Sequence, residues 1–385
     1  MNMLTRSIGV GFLFTTLTLG GASAADLADA LHTLRAVGPK GAGNAAATIA
    51  WADVAETDVS QLPELLAALN GANPLAANWI RTAIDTVCEH ALRDHGDLPR
   101  KSLEKFVLET SQAPKGRRLA YEWLLKVDAE AEARIVPKFL NDPSLELRRD
   151  AIARLIDQGQ KAAEAGKQKE ALKSLQKAFD AARDRDQIDR LSKQLKKLGH
   201  EVDLVGHDGL IVDWQVIGPF DNAEEAGFDK VYPPEAEFQP ETEYEGKHGK
   251  VKWLPYRSES RVGKVDLYQG LAESLVDISD KLHERNVVAY AVAEFHSPSN
   301  QNVQIRSSSM NAIKIWVNGK LVDEHNVYHA GSQFDQYQAD AKLRQGKNQV
   351  LVKICQNAQT QSWTETFSFQ LRVCDPIGGA ILSLK

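Results

Sequence analysis

Hydrophobic and polar positions follow two different periods along this chain, and the change falls near Gly199-His200. Upstream of it, apolar residues recur roughly every three or four positions, the spacing that gathers them on one face of a helix. The pattern predicts helices over residues 26–36, 44–55, 61–69, 76–93, 102–110, 115–126 and 129–140. Gly38, Gly41, Gly71, Pro74, Gly96, Pro99 and Pro114 separate them, residue types that end one helix or open the next. Many short helices with short connections suit a solenoid or an irregular bundle.

Downstream, aromatic and β-branched residues alternate with polar ones, as half-buried strands require. Strands are predicted over residues 210–217, 286–296, 301–307, 348–354 and 367–373, with a long polar excursion after Gly218. The sharpest signal is the stretch 313–322, IKIWVNGKLV. Asn318-Gly319 supplies the two residues of positive φ that a type I′ hairpin needs. That turn sets Val317 opposite Lys320, Trp316 opposite Leu321 and Ile315 opposite Val322. Many strands with little helix between them imply a sandwich. The expected fold is therefore multidomain, α then β. A helical solenoid over residues 25–200 precedes an antiparallel β-sandwich over 201–385.

Residues 1–24 read as a signal peptide. Arg6 precedes an apolar run over 8–19, and Ala22-Ser23-Ala24 forms a small-x-small cleavage site. The run is shorter than the roughly 20 residues of a spanning helix. The mature chain is expected to be exported, periplasmic or extracellular, with no membrane span after cleavage. A length of 385 residues suits two domains, and a net charge of -6 argues against nucleic acid as a partner.

Export permits disulfides, yet the chain has three cysteines, Cys88, Cys355 and Cys374. If 348–354 and 367–373 pair as neighbours with Val352 facing Phe369, Cys355 and Cys374 lie roughly 26 Å apart, too far for a bridge. Placement in different sheets would leave a bridge open. Free buried thiols are the expectation.

Two helical stretches resemble known repeats. Residues 141–156, NDPSLELRRDAIARLI, place Asp142-Pro143 before the pair Leu147-Arg148, and this resembles a HEAT repeat. Leu145, Leu147, Ala151, Ile152 and Leu155 are its expected buried positions. Residues 161–187, with Ala163, Gly166, Ala171, Leu172, Leu175 and Ala178, resemble a tetratricopeptide helical hairpin. The mixed charges around it read as a solvated helix face. In the β-half, Trp316-Val317-Asn318-Gly319 and then Gly346-x-Asn348 resemble a galactose-binding-like jelly roll over about 290–375. That resemblance implies the kind of module that accompanies secreted carbohydrate-active enzymes. The whole chain also resembles exported HEAT-repeat proteins of planctomycete-type bacteria, a likeness that implies no activity.

Catalytic signatures are missing: no GxSxG, HExxH, CxxC or Walker loop occurs. Gly38 to Gly43 lacks the phosphate-loop spacing and follows no strand, so it reads as a connector. His325 and His329, beside Asp323 and Glu324, have metal-ligand chemistry but sit in a polar loop where such residues are ordinary. Asp221, Asp229 and Glu235 are loop carboxylates that Asx turns and solvation explain as well as paired acids do. Neither metal nor cofactor is expected. Trp214 and Trp253 read as core, and Trp316 as packing in a second layer. Trp363, in the loop QNAQTQSWTET, is the leading stacking residue, followed by Tyr328. Gln356, Asn357 and Gln361 would supply hydrogen bonds to a sugar. The leading reading is a non-catalytic binding or scaffolding protein. Its helical surface would contact proteins, and its sandwich would bind a glycan or envelope ligand. The alternative is a carbohydrate-active enzyme with unrecognised catalytic residues.

Overall fold

The computed structural model describes residues 24–236, 238–275 and 284–384. The expected signal peptide lies outside the described residues, apart from Ala24. The chain divides into two compact units, Met1–Ala151 and Ile152–Lys385. A helical region followed by antiparallel sheets is the architecture that the two periods predict. The division between units lies upstream of the helix-to-strand change, so the last helices belong to the second unit.

The first unit holds α1 (Ala24–Arg35), α2 (Asn44–Ala55), α3 (Leu62–Ala67), α4 (Pro74–His95), α5 (Arg100–Leu108), α6 (Pro114–Val127) and α7 (Ala131–Ile135). It also takes in the start of α8 (Leu145–Glu164). Local chemistry sets the ends. Asn73 Oδ1 accepts from the backbone N–H of Leu75 and of Ala76, each at 3.0 Å, and Pro74 occupies the first turn of α4. Leu34, Leu65, Ile80, Ile84, Leu119, Leu124 and Phe139 belong to one continuous core.

Inside that core, Arg117 is fully buried and forks onto Asp142, Nη1 to Oδ1 at 2.8 Å and Nη2 to Oδ2 at 2.6 Å. Its Nε donates to the carbonyl of Val107 at 2.7 Å. Asp142 also accepts from the N–H of Ser144, and its carbonyl accepts from Arg148 Nη1, both at 2.8 Å. The Asp-Pro…Leu-Arg spacing thus closes the start of α8 on itself. Leu147, Ala151 and Ile152 are buried as expected. Leu145 is not; it is 49% exposed and Ile156 is buried. Leu145 is the first residue of α8 and has no helical turn before it to pack over, whereas Ile156 lies well inside the helix.

The second unit holds the rest of α8, α9 (Gln168–Ala181), α10 (Arg185–Lys197) and α11 (Leu204–Asp208). The close approach in the α8–α9 hairpin occurs at Gly159, where an added Cβ would meet Leu175 Cγ at 2.6 Å. Then come β1 (Asp213–Asp221), β2 (Tyr244–Glu245), β3 (Lys250–Val251), β4 (Leu254–Arg257), β5 (Val265–Asp266) and β6 (Val287–Ser297). They are followed by β7 (Gln301–Ser309), β8 (Ala312–Val317), β9 (Lys320–His325), β10 (Tyr337–Leu343), β11 (Gly346–Gln356) and β12 (Ser368–Cys374).

All strand pairs among the described residues are antiparallel. The larger sheet has the order β4-β1-β6-β11-β8-β9 and the smaller β10-β7-β12-β5, while β2 and β3 form a separate ribbon. Between the sheets lie Val216, Ala291, Ile313, Ile315, Val350 and Val352 from the larger and Val303, Ile305, Leu371 and Val373 from the smaller. Trp214 meets Phe369 edge-on at 5.1 Å across this core.

A second apolar layer covers the other face of the larger sheet. Phe228, Tyr232, Val251 and Trp253 of the excursion pack on Ile217, Tyr290, Val292, Leu351 and Cys355, with Trp316 partly buried against them. The central strands are therefore apolar on both faces, which explains the unbroken run VVAYAVA in β6. Lys353 is buried in this layer. Its Nζ donates to the carbonyls of Phe228 (3.0 Å) and Lys230 (2.7 Å) and pairs with Glu235 at 2.9 Å.

Two details of pairing differ from expectation. The hairpin turn has φ of 52° at Asn318 and 78° at Gly319, and Val317 faces Lys320, as the type I′ reading requires. A bulge then puts Asp323, not Val322, opposite Ile315. The slip brings Glu324 opposite Lys314, to which it bonds at 3.0 Å. Second, β11 and β12 lie in different sheets, so the register assumed for the cysteines does not exist. Cys355 packs in the outer layer of the larger sheet, and Cys374 lies on β12 beside Gln304 of the smaller one. All three cysteines are free and buried.

Candidate functional site

Pairing of β11 with β6 and β8 brings Gln356 level with Val287 and Cys355 level with Ala312. The loops after β1, β9 and β11 therefore open at the same end of the sandwich. Beneath them lies a run of buried polar side chains: Asn222, Asn311, Gln356, Asn357 and Thr364. Buried polar groups at this density are tolerated only when bonded to one another.

Asn357 is the hinge of this group. Its Nδ2 donates to Glu225 Oε1 at 3.0 Å, which fixes the amide orientation. Oδ1 must then be the acceptor, and it takes the N–H of Gln359 at 3.2 Å and faces His329 Nε2 at 3.0 Å. The His329 proton accordingly sits on Nε2. Its Nδ1 is buried and has no hydrogen-bond partner among the described residues. The backbone is held out of its ordinary regions at the same place, with φ of 54° at Glu224, 60° at Glu225 and 57° at His329. Left-handed backbone at non-glycine residues costs about 1–3 kcal/mol each and gathers where a structure holds side chains for a purpose.

Trp363 stands on the rim of this group, in a single 3-10 turn, Ser362–Thr364, and is 57% exposed. His329 meets it edge-on at 5.7 Å and 87°. Tyr328 is half-buried against the outer layer, its hydroxyl 3.3 Å from Asn222 Nδ2, and burial pushes its phenol well above the ordinary value. Gln356 is fully buried and spent on the fold: Nε2 donates to the carbonyls of Thr364 (3.0 Å) and Thr366 (3.2 Å), and Oε1 accepts from Asn311 at 3.1 Å. Gln361 is exposed, and its carbonyl closes the turn by accepting from Thr364 N at 2.8 Å. Of the five residues expected to recognise a ligand, Trp363 and Asn357 come together around His329, Tyr328 flanks them, and Gln356 lies underneath.

Glu225 and Asn222 carried no local signal, because each acquires side-chain partners more than a hundred residues away. His329 was visible only as a metal candidate. It turns to Asn357, whereas His325 bonds Asp323 at 2.9 Å and stacks on Tyr337 at 3.7 Å. No group of three or more metal-ligating side chains occurs among the described residues. The loop carboxylates do not pair either. Glu235 accepts from Tyr290 Oη at 2.5 Å besides Lys353, and Asp229 lies 3.6 Å from Lys314.

A larger cavity, about 700 Å³, lies on the outer face of the larger sheet, among Gln215, Phe238, Trp253, Leu254, Val292 and Gln349. Three of its lining charges are paired: Asp213 with Arg257 at 2.5 Å, and Glu294 with His296 at 2.6 Å and with Lys347. Hydrogen bonds from Lys347 and then His296 hold the Glu294 carboxyl below the usual range.

No protein-family model matches the chain, and neither does any curated protein. Among solved structures, a family 35 carbohydrate binding module from Clostridium thermocellum aligns at 14% identity and TM-score 0.16, over 25% of this chain and 75% of that one. A β-glucosidase from Kluyveromyces marxianus aligns at 14% identity and TM-score 0.26, over 47% of this chain and 21% of that one. An exo-β-D-glucosaminidase aligns at 17% and 0.26, over 43% and 20%. The chain thus spans about a fifth of either enzyme. Likenesses of this size establish neither family nor activity.

Proposed function

We propose that the second unit is a non-catalytic binding module that recognises a glycan at the loop end of its sandwich, in an exported chain whose helical unit offers a surface to proteins. The observation that carries this is the exposed Trp363 plane beside the prebuilt Glu225–Asn357–His329 chain. A sugar ring has one apolar face and a belt of hydroxyls, so its recognition calls for an aromatic plane with fixed polar groups at its side. Glu225 is exposed and held by only one bond at Oε1 among the described contacts, which leaves it able to accept from a sugar hydroxyl. Prior ordering lowers the cost of binding.

A glycan array probed with the intact chain and with Trp363→Ala tests the reading. The wild type should retain at least one glycan, and the variant should bind it about tenfold more weakly or worse. An empty array, or equal retention by both proteins, would overturn it.

A further inference from the structure

We propose that the outer face of the smaller sheet carries a separate binding site, an oxyanion pocket for a ligand with a carboxylate, sulfate or phosphate head. The cavity there measures about 340 Å³. Arg185, Lys264, Ser308, Ser332, Ser368 and Phe334 are among its walls, and among the described residues no aspartate or glutamate lines it. Walls rich in donors and cations, with no carboxylate, are suited to a ligand that accepts hydrogen bonds and carries negative charge.

The sheet explains why cations collect on this side. Ile305, Leu371 and Val373 point into the core. Their neighbours Arg306 and Arg372 therefore point outward, directly opposite each other across β7 and β12. Like charges so placed repel, and Asp335 holds both. It accepts from Arg306 Nη1 at 2.8 Å and from Arg372 Nε and Nη2 at 2.7 and 2.6 Å. Asp335 reaches them from a left-handed backbone, φ 58°. Its neighbour Phe334 then lies between two guanidiniums, 5.0 Å from Arg372 and 5.1 Å from Arg185.

Arg185 enters from α10, oriented by Asp208 at 2.7 Å and Asp189 at 3.0 Å. These carboxylates and Asp335 are outside the pocket lining. Lys264 is exposed, and no ion pair or hydrogen bond engages its ammonium among the described residues. Ser308 Oγ and Ser332 Oγ lie 2.5 Å apart. Two hydroxyls sharing one hydrogen bond leave the second proton free to donate elsewhere. Lys264, that proton and the edge of Arg185 supply the head group's partners, and Phe334 with Met310 supplies an apolar surface for the rest of a compact ligand.

This site does not depend on the glycan reading, since none of its walls belongs to the Trp363 group. Calorimetric titration of the intact chain, at ionic strength held constant with sodium chloride, tests it with sulfate, phosphate and benzoate, and with benzamide as the uncharged control. At least one oxyanion should bind saturably, and Lys264→Glu, a change at an exposed side chain, should weaken it about tenfold or more. Arg185→Lys keeps the charge but loses the planar fork and should weaken it several-fold. Competition by sulfate against benzoate would show that the inorganic head suffices, and benzoate binding more tightly than either inorganic ion would add the apolar surface to the site. The proposal is overturned by no saturable binding of any of the three anions, by affinity unchanged in Lys264→Glu, or by benzamide binding as well as benzoate. Trp363→Ala should leave the anion titration unchanged, so the two sites can fail separately.

Discussion

The side-chain amide of Asn318 donates to Oδ1 of Asn348 at 2.8 Å, joining the β8–β9 turn to the start of β11. The turn's other amide atom, Asn318 Oδ1, accepts from Gln349 N at 3.0 Å. Asn348 is fully buried, and its Nδ2 also donates to the carbonyls of Arg344 (2.8 Å) and Gly346 (3.0 Å). One asparagine thus ties the loop before β11 to the hairpin beside it. This relationship gives the Asn-Gly turn and the Gly-x-Asn element a single structural purpose.

Asn348→Ala should therefore cost about 2–4 kcal/mol, because it strands several buried partners at once. Urea unfolding of the intact chain, compared with Asn318→Ala, checks the order: the Asn348 change should be the larger.

Arg117→Ala should destabilise the first unit by about 3–5 kcal/mol, since it leaves Asp142 buried and unpaired. The paired replacement Arg117→Met with Asp142→Leu should recover part of the loss, a comparison that thermal unfolding of the single and double variants resolves.

Asp335 gives the second unit an acid-sensitive contact. Burial by itself would raise its pKa, but the guanidiniums of Arg372 and Arg306 more than offset this and leave the carboxyl below its ordinary value. A lowered folded-state pKa means that the contribution is complete above the unfolded value, about 3.9, and fades as pH falls through the folded one. Asp335→Asn should lower stability markedly at pH 7 and much less at pH 2, as denaturant midpoints at the two pH values would show.

Gly159→Ala should destabilise the α8–α9 hairpin by about 1–3 kcal/mol, because the added methyl would overlap Leu175. Pairing it with Leu175→Ala should relieve most of the overlap, which circular-dichroism melts of both variants would reveal.

Much of this was legible from residue pattern alone. Helix 44–55 lies where its periodicity puts it, and the Asn318-Gly319 turn has the dihedral angles its residue types demand. Trp214 and Trp253 are core, as their strand positions imply. Local patterns report such features because each depends on neighbours within a few residues. The candidate site was legible only in part. Trp363 was visible as an aromatic in a polar loop, but Gln356 looked like a ligand-binding amide, and only the fold brings Thr364 and Asn311 onto its side chain.

By itself, the sequence determined that helices precede strands, where most elements begin, and which turn closes the central hairpin. Those are consequences of period, capping and allowed φ, all short-range. The tertiary structure decided that β11 and β12 fall in opposite sheets, that the excursion forms a second apolar layer, and that Glu225, His329 and Asn357 meet beside Trp363. It also decided that Arg306 and Arg372 face each other over one carboxylate. These arrangements depend on which strands pair and in what register, a choice made by burial over the whole sandwich and not by any stretch within it.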